Sequence, residues 1–375
     1  MSKHFNDDFS YGEKSAKKAL EGEKGLKKEE KKKSEFDEKL AELTKKFGKG
    51  TFISAVDKES YGDVIPTTPF SLGNALGING FAKRKFYTID GDTSAGKSTT
   101  SYDVIGNCQK TFGDMCLLID KEDSYTTSYG KQLGIDNDKL VIANPHTLED
   151  MYDLVTDSLK SNLFGVILVD SVTSFAPIAR HEGSVVMGVE ARTNSDKMRL
   201  VMDALEKSNT CLIFIQQTRQ KIGGYGDPTT VSGGTAIPFY AHVRIRITRS
   251  EIDRENEQNT MKFTIIKNKL APAFKVGTVV YNWNNGFDLF SEIGDLAIEF
   301  GIIRNEGKSY YFPESDHKEV GKKNAIQYLK DNGSTGRYDE IHIQKFLVML
   351  YQELINRLDQ RLIDKKDVEQ TGDFE

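Results

Sequence analysis

Gly91-Asp92-Thr93-Ser94-Ala95-Gly96-Lys97-Ser98 matches the pattern G-x-x-x-x-G-K-[ST]. Such a loop curls around a phosphate with its backbone N–H groups pointing inward, and the glycines permit the curl. Lys97 then brings a positive charge to the β- and γ-phosphates, and the Ser98 hydroxyl is suited to Mg²⁺. Phe86-Tyr87-Thr88-Ile89 reads as a strand entering the loop, and Thr99 to Phe112 as the helix leaving it. The positive end of that helix adds to the anion site. Together these residues imply a nucleotide phosphate held by Gly91 through Thr99.

Hydrolysis of such a nucleotide needs a metal ligand, a group that orients water, and stabilisation of charge on the transferred phosphoryl group. Three apolar runs of strand length each end in polar residues: Met115–Ile119 in Asp120 and Glu122, Val166–Val169 in Asp170 and Ser171, and Cys211–Ile215 in Gln216 and Gln217. Ligands of open α/β sheets bind beyond the carboxyl ends of strands, so these groups are expected to face the crevice that the phosphate loop enters. Asp170 suits a Mg²⁺ ligand, Glu122 a base for the attacking water, and Gln217 a sensor of the γ-phosphate.

Gln217 also stands before a glycine-rich stretch, Arg219 to Thr235. From Thr218 to Arg249 the chain carries five Lys/Arg residues against one acid, Asp227, within a protein of net charge −5. Glycines let a backbone approach phosphates, and Arg219 and Lys221 neutralise charge. The composition is equally that of a surface loop, and both readings stand on the residues alone.

These positions require a frame. The amphipathic segments Thr147–Leu159 (with Met151, Leu154 and Val155 on one face) and Asn194–Leu205 separate runs that show no alternation, the mark of a parallel sheet covered on both faces. From residue 238 the pattern changes. His242–Ile247 and Lys262–Ile265 alternate with period two and read as antiparallel strands at a sheet edge, joined by a solvated loop over Glu251–Gln258. Phe36, Leu40, Leu43 and Phe47 recur at helical spacing after Ser34, with Gly48 as a stop. Residues 1–33 are polar and lysine-rich, too poor in apolar surface to order themselves. A small helical region with a strand pair near Tyr310 follows residue 291, then a long amphipathic segment from Ile343 to Ile363 and an acidic tail. With 375 residues, 38% of them apolar, the chain can bury a substantial core. It has no apolar run of membrane length and no signal-like N-terminus. Cys108, Cys116 and Cys211 lack metal-site spacing, and buried thiols in a reducing cytoplasm are expected.

Taken in order, several segments resemble the RecA recombinase family, bacterial or phage-encoded, from about Ser34 to about Asn356. They are Lys46-Phe47-Gly48-Lys49-Gly50, the phosphate loop, Ile119-Asp120-Lys121-Glu122, Val169-Asp170-Ser171-Val172, Phe214 to Arg219, Lys267-Asn268-Lys269 and Tyr328 to Asn332. The resemblance implies an α/β fold: a RecA-like P-loop ATPase core with a mostly parallel central sheet over 61–290, an N-terminal oligomerisation helix and linker over 34–60, and a small C-terminal α/β domain over 291–365. A tail over 1–33 precedes these regions and another over 366–375 follows them. It implies ATP and Mg²⁺ as cofactors, with single-stranded DNA and homologous duplex as partners. It also implies a helical homo-oligomeric filament and a cytoplasmic location in a bacterium or a phage host, and leaves repressors and single-strand-binding proteins open as further partners.

Residue by residue, Glu122 matches the catalytic glutamate and Tyr129 the tyrosine that stacks on adenine. Gln217 matches the residue coupling the γ-phosphate to DNA, and Lys267 and Lys269 the lysines that reach the adjacent subunit's ATP. Segments near Glu182–Gly188 and Arg219–Thr235 match the two DNA loops. Met187 and Ile222 match apolar wedges between base triplets; Arg192, Ser195, Arg199, Arg219, Gly233 and Gly234 match phosphate contacts. Departures are specific. The family's loop usually reads G-P-E-S-S-G-K-T, whereas Asp92 and Thr93 replace Pro-Glu here and Ser98 replaces Thr. Thr126 stands where an aspartate usually contacts adenine, and the first DNA loop is a few residues short. A ring-forming helicase and a mediator with little turnover are rival readings of the same core.

Overall fold

The computed structural model describes residues 36–46, 62–181, 188–220, 229–231, 234–312 and 317–332. The tail over 1–33, the segment Ile343–Ile363, and Met187, Lys221, Ile222 and Gly233 lie outside them. The chain divides into two units, Met1–Ser60 and Tyr61–Glu375. In the first, residues 36–46 form helix α1, with Phe36 and Leu43 exposed.

In the second unit, β1 (Val64–Pro66) and β2 (Gly80–Ala82) form a small antiparallel pair around α2 (Phe70–Leu76). The uninterrupted apolar runs then become parallel strands. β3 (Phe86–Gly91), β4 (Met115–Asp120), β5 (Leu140–Ala143), β6 (Phe164–Asp170) and β7 (Cys211–Gln220) are joined through α3 (Lys97–Phe112), α4 (Thr127–Gln132), α5 (Leu148–Ser161), α6 (Ile178–His181) and α7 (Val189–Glu206). β8 (Thr229–Val231) folds back antiparallel on the end of β7. After α8 (Ala236–Tyr240) come β9 (Val243–Asp253), β10 (Gln258–Asn268), β11 (Val276–Asn282) and β12 (Gly286–Phe287). The main sheet runs β12-β11-β10-β9-β3-β7-β6-β4-β5.

Both faces are covered, as continuous apolar strands demand. On one face Tyr102, Val104 and Ile105 of α3 pack on Tyr87, Ile89, Leu118 and Ile213. On the other, Met151 and Val155 of α5 and Met198 and Val201 of α7 pack on Leu117, Ile167 and Phe214. Thr147 and Asp150 form a reciprocal capping box at the start of α5, worth about 1 kcal/mol.

Two expectations change. β9 is an interior strand: it pairs in parallel with β3 and antiparallel with β10. Its alternation reflects one wholly apolar face, Val243, Ile245 and Ile247, and a second face bearing Arg244 and Arg246, where the Arg244 guanidinium meets the buried Asp90 carboxylate at 2.5 Å. The loop expected over Glu251–Gln258 is also tighter, because β9 continues to Asp253 and β10 begins at Gln258. Beyond the sheet, α9 (Leu289–Glu299), β13 (Arg304–Glu306), β14 (Ser309–Tyr311), β15 (Lys318–Val320) and α10 (Lys322–Asn332) enclose a third core around Ile293, Ala297, Ile303 and Leu329. The strand pair expected near Tyr310 is three-stranded.

Two buried carboxyls clamp the segment before and into α2. Asp103 of α3 accepts from the Thr68 backbone N–H (3.0 Å), from the Thr68 hydroxyl and from Asn107 Nδ2 (3.2 Å). Glu292 of α9 accepts from the N–H groups of Phe70 (2.9 Å) and Ser71 (2.7 Å). Burial outweighs these hydrogen bonds and pushes both carboxyls up to about 7. Between the ordinary carboxylate range and pH 7 the folded state therefore holds protons that the unfolded state has released, and their stabilisation is lost as pH rises through that window. A tenfold change in proton affinity corresponds to about 1.4 kcal/mol, so Asp103 commands on the order of a few kcal/mol. Asp103→Asn is expected to gain melting temperature relative to wild type between about pH 5 and about pH 8, as followed by thermal unfolding at both values.

Candidate active site

β3 delivers the chain into the phosphate loop at Gly91, whose Cβ, were there one, would lie 2.4 Å from the Ile247 carbonyl oxygen of β9. Gly96 closes the loop at φ 98°, and a Cβ there would meet Met261 Cε at 2.3 Å. Neither position admits another residue without displacing its neighbour. α3 then begins at Lys97 with no side-chain cap on its first turn. Its first N–H groups and its dipole are left to an anion.

Lys97 is 8% exposed and its Nζ donates to the Asp92 carbonyl at 2.7 Å. Burial lowers its pKa, while the carboxylates of Asp170, Glu122, Asp92 and Asp90 oppose that shift. Ser98 Oγ donates to Asp170 Oδ2 at 2.6 Å. Burial raises the Asp170 carboxyl to about 6, and Glu122 and Asp120 add repulsion. A crowded, desolvated carboxyl beside a hydroxyl is a hard-oxygen pair that a divalent cation would relieve. The described residues contain no group of three or more His, Cys, Asp or Glu able to hold a metal. One hydroxyl and one carboxyl suit Mg²⁺, a hard cation that takes few protein ligands beside phosphate and water.

The ends of β4, β6 and β7 converge on one carboxylate oxygen. Glu122 Oε1 accepts from Ser174 Oγ (2.8 Å), Ser171 Oγ (3.0 Å) and Gln217 Nε2 (3.1 Å). Asp120 holds the intervening turn by accepting from the N–H groups of Ser124 and Tyr125, both at 2.9 Å. Gln216, expected in the same crevice, is wholly buried. Successive residues of a strand point to opposite faces, so Gln217 alone of the two reaches Glu122.

Tyr129 on α4 shares its hydroxyl with Thr99 Oγ1 (2.7 Å) and Tyr281 OH (3.4 Å). Thr126 is the N-cap of α4, accepting from the Tyr129 N–H at 3.3 Å. Beside the loop lies a cavity of about 290 Å³, bounded by Ser94–Thr99 and by Arg249, Asn259, Met261, Tyr281 and Trp283. Sequence reasoning missed this second wall. Its one available signal was the lone tryptophan, whose Nε1 donates to Asn259 Oδ1 at 2.9 Å.

Lys267 and Lys269 are not brought to this loop. Lys267 pairs with Arg244, three residues back along β9 from Ile247, the partner of Gly91. Strand spacings put it roughly 10 Å along the sheet and roughly 10 Å across it from the loop. Its Nζ donates to the carbonyls of Pro238 (3.0 Å) and Phe239 (2.7 Å) around α8. Burial, Lys269 and Arg244 push its pKa down to about 8. Of the expected DNA contacts, Arg192, Ser195 and Arg199 lie at i, i+3 and i+7 on α7 and share a face, with both arginines exposed and Ser195 half-buried beside the covered stripe of Asn194, Met198 and Val201. Arg219 pairs with Thr230 in the β7–β8 ladder, and Gly234 has φ 86°.

The chain matches the family model of the RecA N-terminal domain over residues 34–288. It is 36% identical to Protein RecA of Campylobacter hominis over 311 residues, 80% of this chain and 88% of the relative. Against Protein RecA of Ehrlichia ruminantium the identity is 36% over 317 residues, 82% and 87% of the two chains. Against that of Thermotoga maritima it is 33% over 317 residues, 81% and 89%. The converging strand ends, the phosphate loop and these relatives agree, and the chain belongs to the RecA family.

Proposed function

We propose that this protein is a DNA-dependent ATPase that polymerises on single-stranded DNA and performs homologous pairing and strand exchange. The observation that carries this reading is the Gln217–Glu122 hydrogen bond, because it ties the base of the second DNA loop to the water-orienting carboxylate. ATP phosphates enter the loop of Gly91–Ser98 and meet the N-terminus of α3. Lys97 leaves the Asp92 carbonyl and turns to the β- and γ-phosphates. Ser98 and Asp170 would hold Mg²⁺, which would supply neutralisation of the phosphate charge there. The side-chain hydrogen bonds of Glu122 from Ser171, Ser174 and Gln217 all fall on Oε1, and Oε2 is the oxygen that orients water. Ser171 and Ser174 keep the carboxylate in that attitude.

Assembly completes the site. α1 presents Phe36 and Leu43 for docking on the next subunit, and Lys267 and Lys269, remote from their own phosphate loop, serve the neighbour's nucleotide. Arg192, Ser195 and Arg199 on α7 and the second loop from Arg219 grip the DNA backbone. No helix among the described residues is long and apolar enough to cross a membrane, and we place the protein in the cytoplasm of a bacterium or a phage host.

A strand-exchange assay with a single-stranded circle and a homologous linear duplex tests the function. Nicked circular product that requires ATP is the expected result. Closed rings by electron microscopy, with duplex unwinding and no exchange, would mean a helicase instead. Glu122→Gln is expected to keep ATP binding and filament formation while turnover falls about 10²–10⁴-fold, as measured by phosphate release beside a nucleotide-binding titration.

A further inference from the structure

β3 and β7 are parallel neighbours whose last registered pair is Gly91 with Gln217. One step beyond the ladder, Thr218 Oγ1 donates to Asp92 Oδ1 at 2.6 Å. Asp92 is thus held at both ends: its carbonyl takes Lys97 Nζ and the Ala95 N–H, and its carboxylate takes Thr218. Thr218 is itself the residue of β7 that faces Val231 at the inner end of the β7–β8 ladder, so it stands at the root of the second DNA loop. Consecutive residues of one strand, Gln217 and Thr218, therefore each hold a different acid of the nucleotide site.

A carboxylate in a phosphate loop is an electrostatic liability, since it repels the anion that the loop must take up. The G-P-E-S-S-G-K-T loop usual in the family has proline at this position and can form no such side-chain bond. Here the hydroxyl of Thr218 supplies a charge-assisted hydrogen bond that turns the carboxylate toward β7. Any displacement of the β7–β8 hairpin moves that donor.

We propose that Thr218 is a positioning residue: by holding the Asp92 carboxylate against β7 it keeps the phosphate loop receptive to ATP, and it makes that receptivity depend on the state of the second DNA loop. It is a second link between nucleotide and DNA, parallel to Gln217–Glu122 and built on Asp92, a residue that departs from the family's usual loop. Its DNA part rests on the function proposed above, and its phosphate part does not.

The test is a titration of the full chain with a fluorescent, non-hydrolysable ATP analogue and Mg²⁺, with and without oligo(dT). Thr218→Val removes the hydroxyl at nearly constant volume. Without DNA it is expected to weaken the analogue about tenfold, the value of one charge-assisted hydrogen bond. Thr218→Ser, which keeps the hydroxyl, is expected to bind as wild type does. Adding Asp92→Asn to Thr218→Val is expected to recover most of the affinity, because the repelling charge is gone; a merely structural bond would show no such recovery. The factor by which oligo(dT) tightens the analogue is expected to shrink in Thr218→Val. Unchanged DNA-free affinity in Thr218→Val, or a double variant no better than the single, overturns the proposal. If wild type shows no response to oligo(dT), the proposed function fails, while the DNA-free comparison still decides the role of Thr218.

Discussion

Lys97→Ala should abolish ATP turnover. Lys97 is the cation placed within the phosphate loop, and four carboxylates, of Asp170, Glu122, Asp92 and Asp90, act on it there. Removing the ammonium does more than delete one phosphate contact. It leaves Asp170, Glu122 and Asp92 without that cation around a site that must accept a highly charged anion, in surroundings where charges are poorly screened. The loss should be about 10³-fold or more in turnover at saturating DNA. The fold should survive, because Lys97 opens α3 and alanine is the best helix former. Phosphate release paired with thermal unfolding reads both quantities. Wild-type turnover in the variant would remove the phosphate loop from the mechanism.

Lys267→Ala should behave differently. ATP binding should persist, since Lys267 lies roughly 14 Å across the sheet from its own phosphate loop. DNA-stimulated hydrolysis should be lost, by about 10²-fold or more, if this ammonium stabilises the transferring phosphoryl group of the adjacent subunit. The isolated chain shows why the group can be recruited. Its Nζ rests on two backbone carbonyls, of Pro238 and Phe239, and its pKa is pushed down to about 8 by burial and by neighbouring cations. A phosphate arriving from another subunit would favour the charged form and gain a desolvated ion pair. Nucleotide binding and phosphate release, each with and without single-stranded DNA, separate the two effects. Persistent stimulation in Lys267→Ala would place the cross-subunit cation elsewhere.

These two lysines differ in how they became visible. Lys97 belongs to a contiguous loop whose glycines are required by backbone geometry, at Gly91 against Ile247 and at Gly96 with φ 98°. Constraints of that kind act over a few residues and leave a local pattern. The same holds for the uninterrupted apolar strands, for the Thr147/Asp150 cap and for the alternation of Val243, Ile245 and Ile247. Periodicity and capping say what an element is and which face it buries. They do not say which strands become neighbours. That is why β9 read as an edge strand and proved interior, and why the short, half-exposed β5, with Val141 and Ile142 open to solvent, was not singled out.

The contacts that could make this site work as an ATPase arise between distant residues. Glu122 meets Ser171, Ser174 and Gln217 only because the ends of β4, β6 and β7 come together in register. Trp283, Asn259 and Tyr281 become a wall of the cavity only once β10 and β11 pair and lie beside the loop. Asp103 and Glu292 are ordinary acids in the chain, and their displaced titration comes entirely from what covers them. The order of residues therefore dictated the phosphate loop, the layered α/β architecture and the family, because backbone sterics and hydrophobic period operate at short range. Register, chain crossover and burial, which join residues dozens to hundreds of positions apart, set the charge state of the acids and the partners of each polar group.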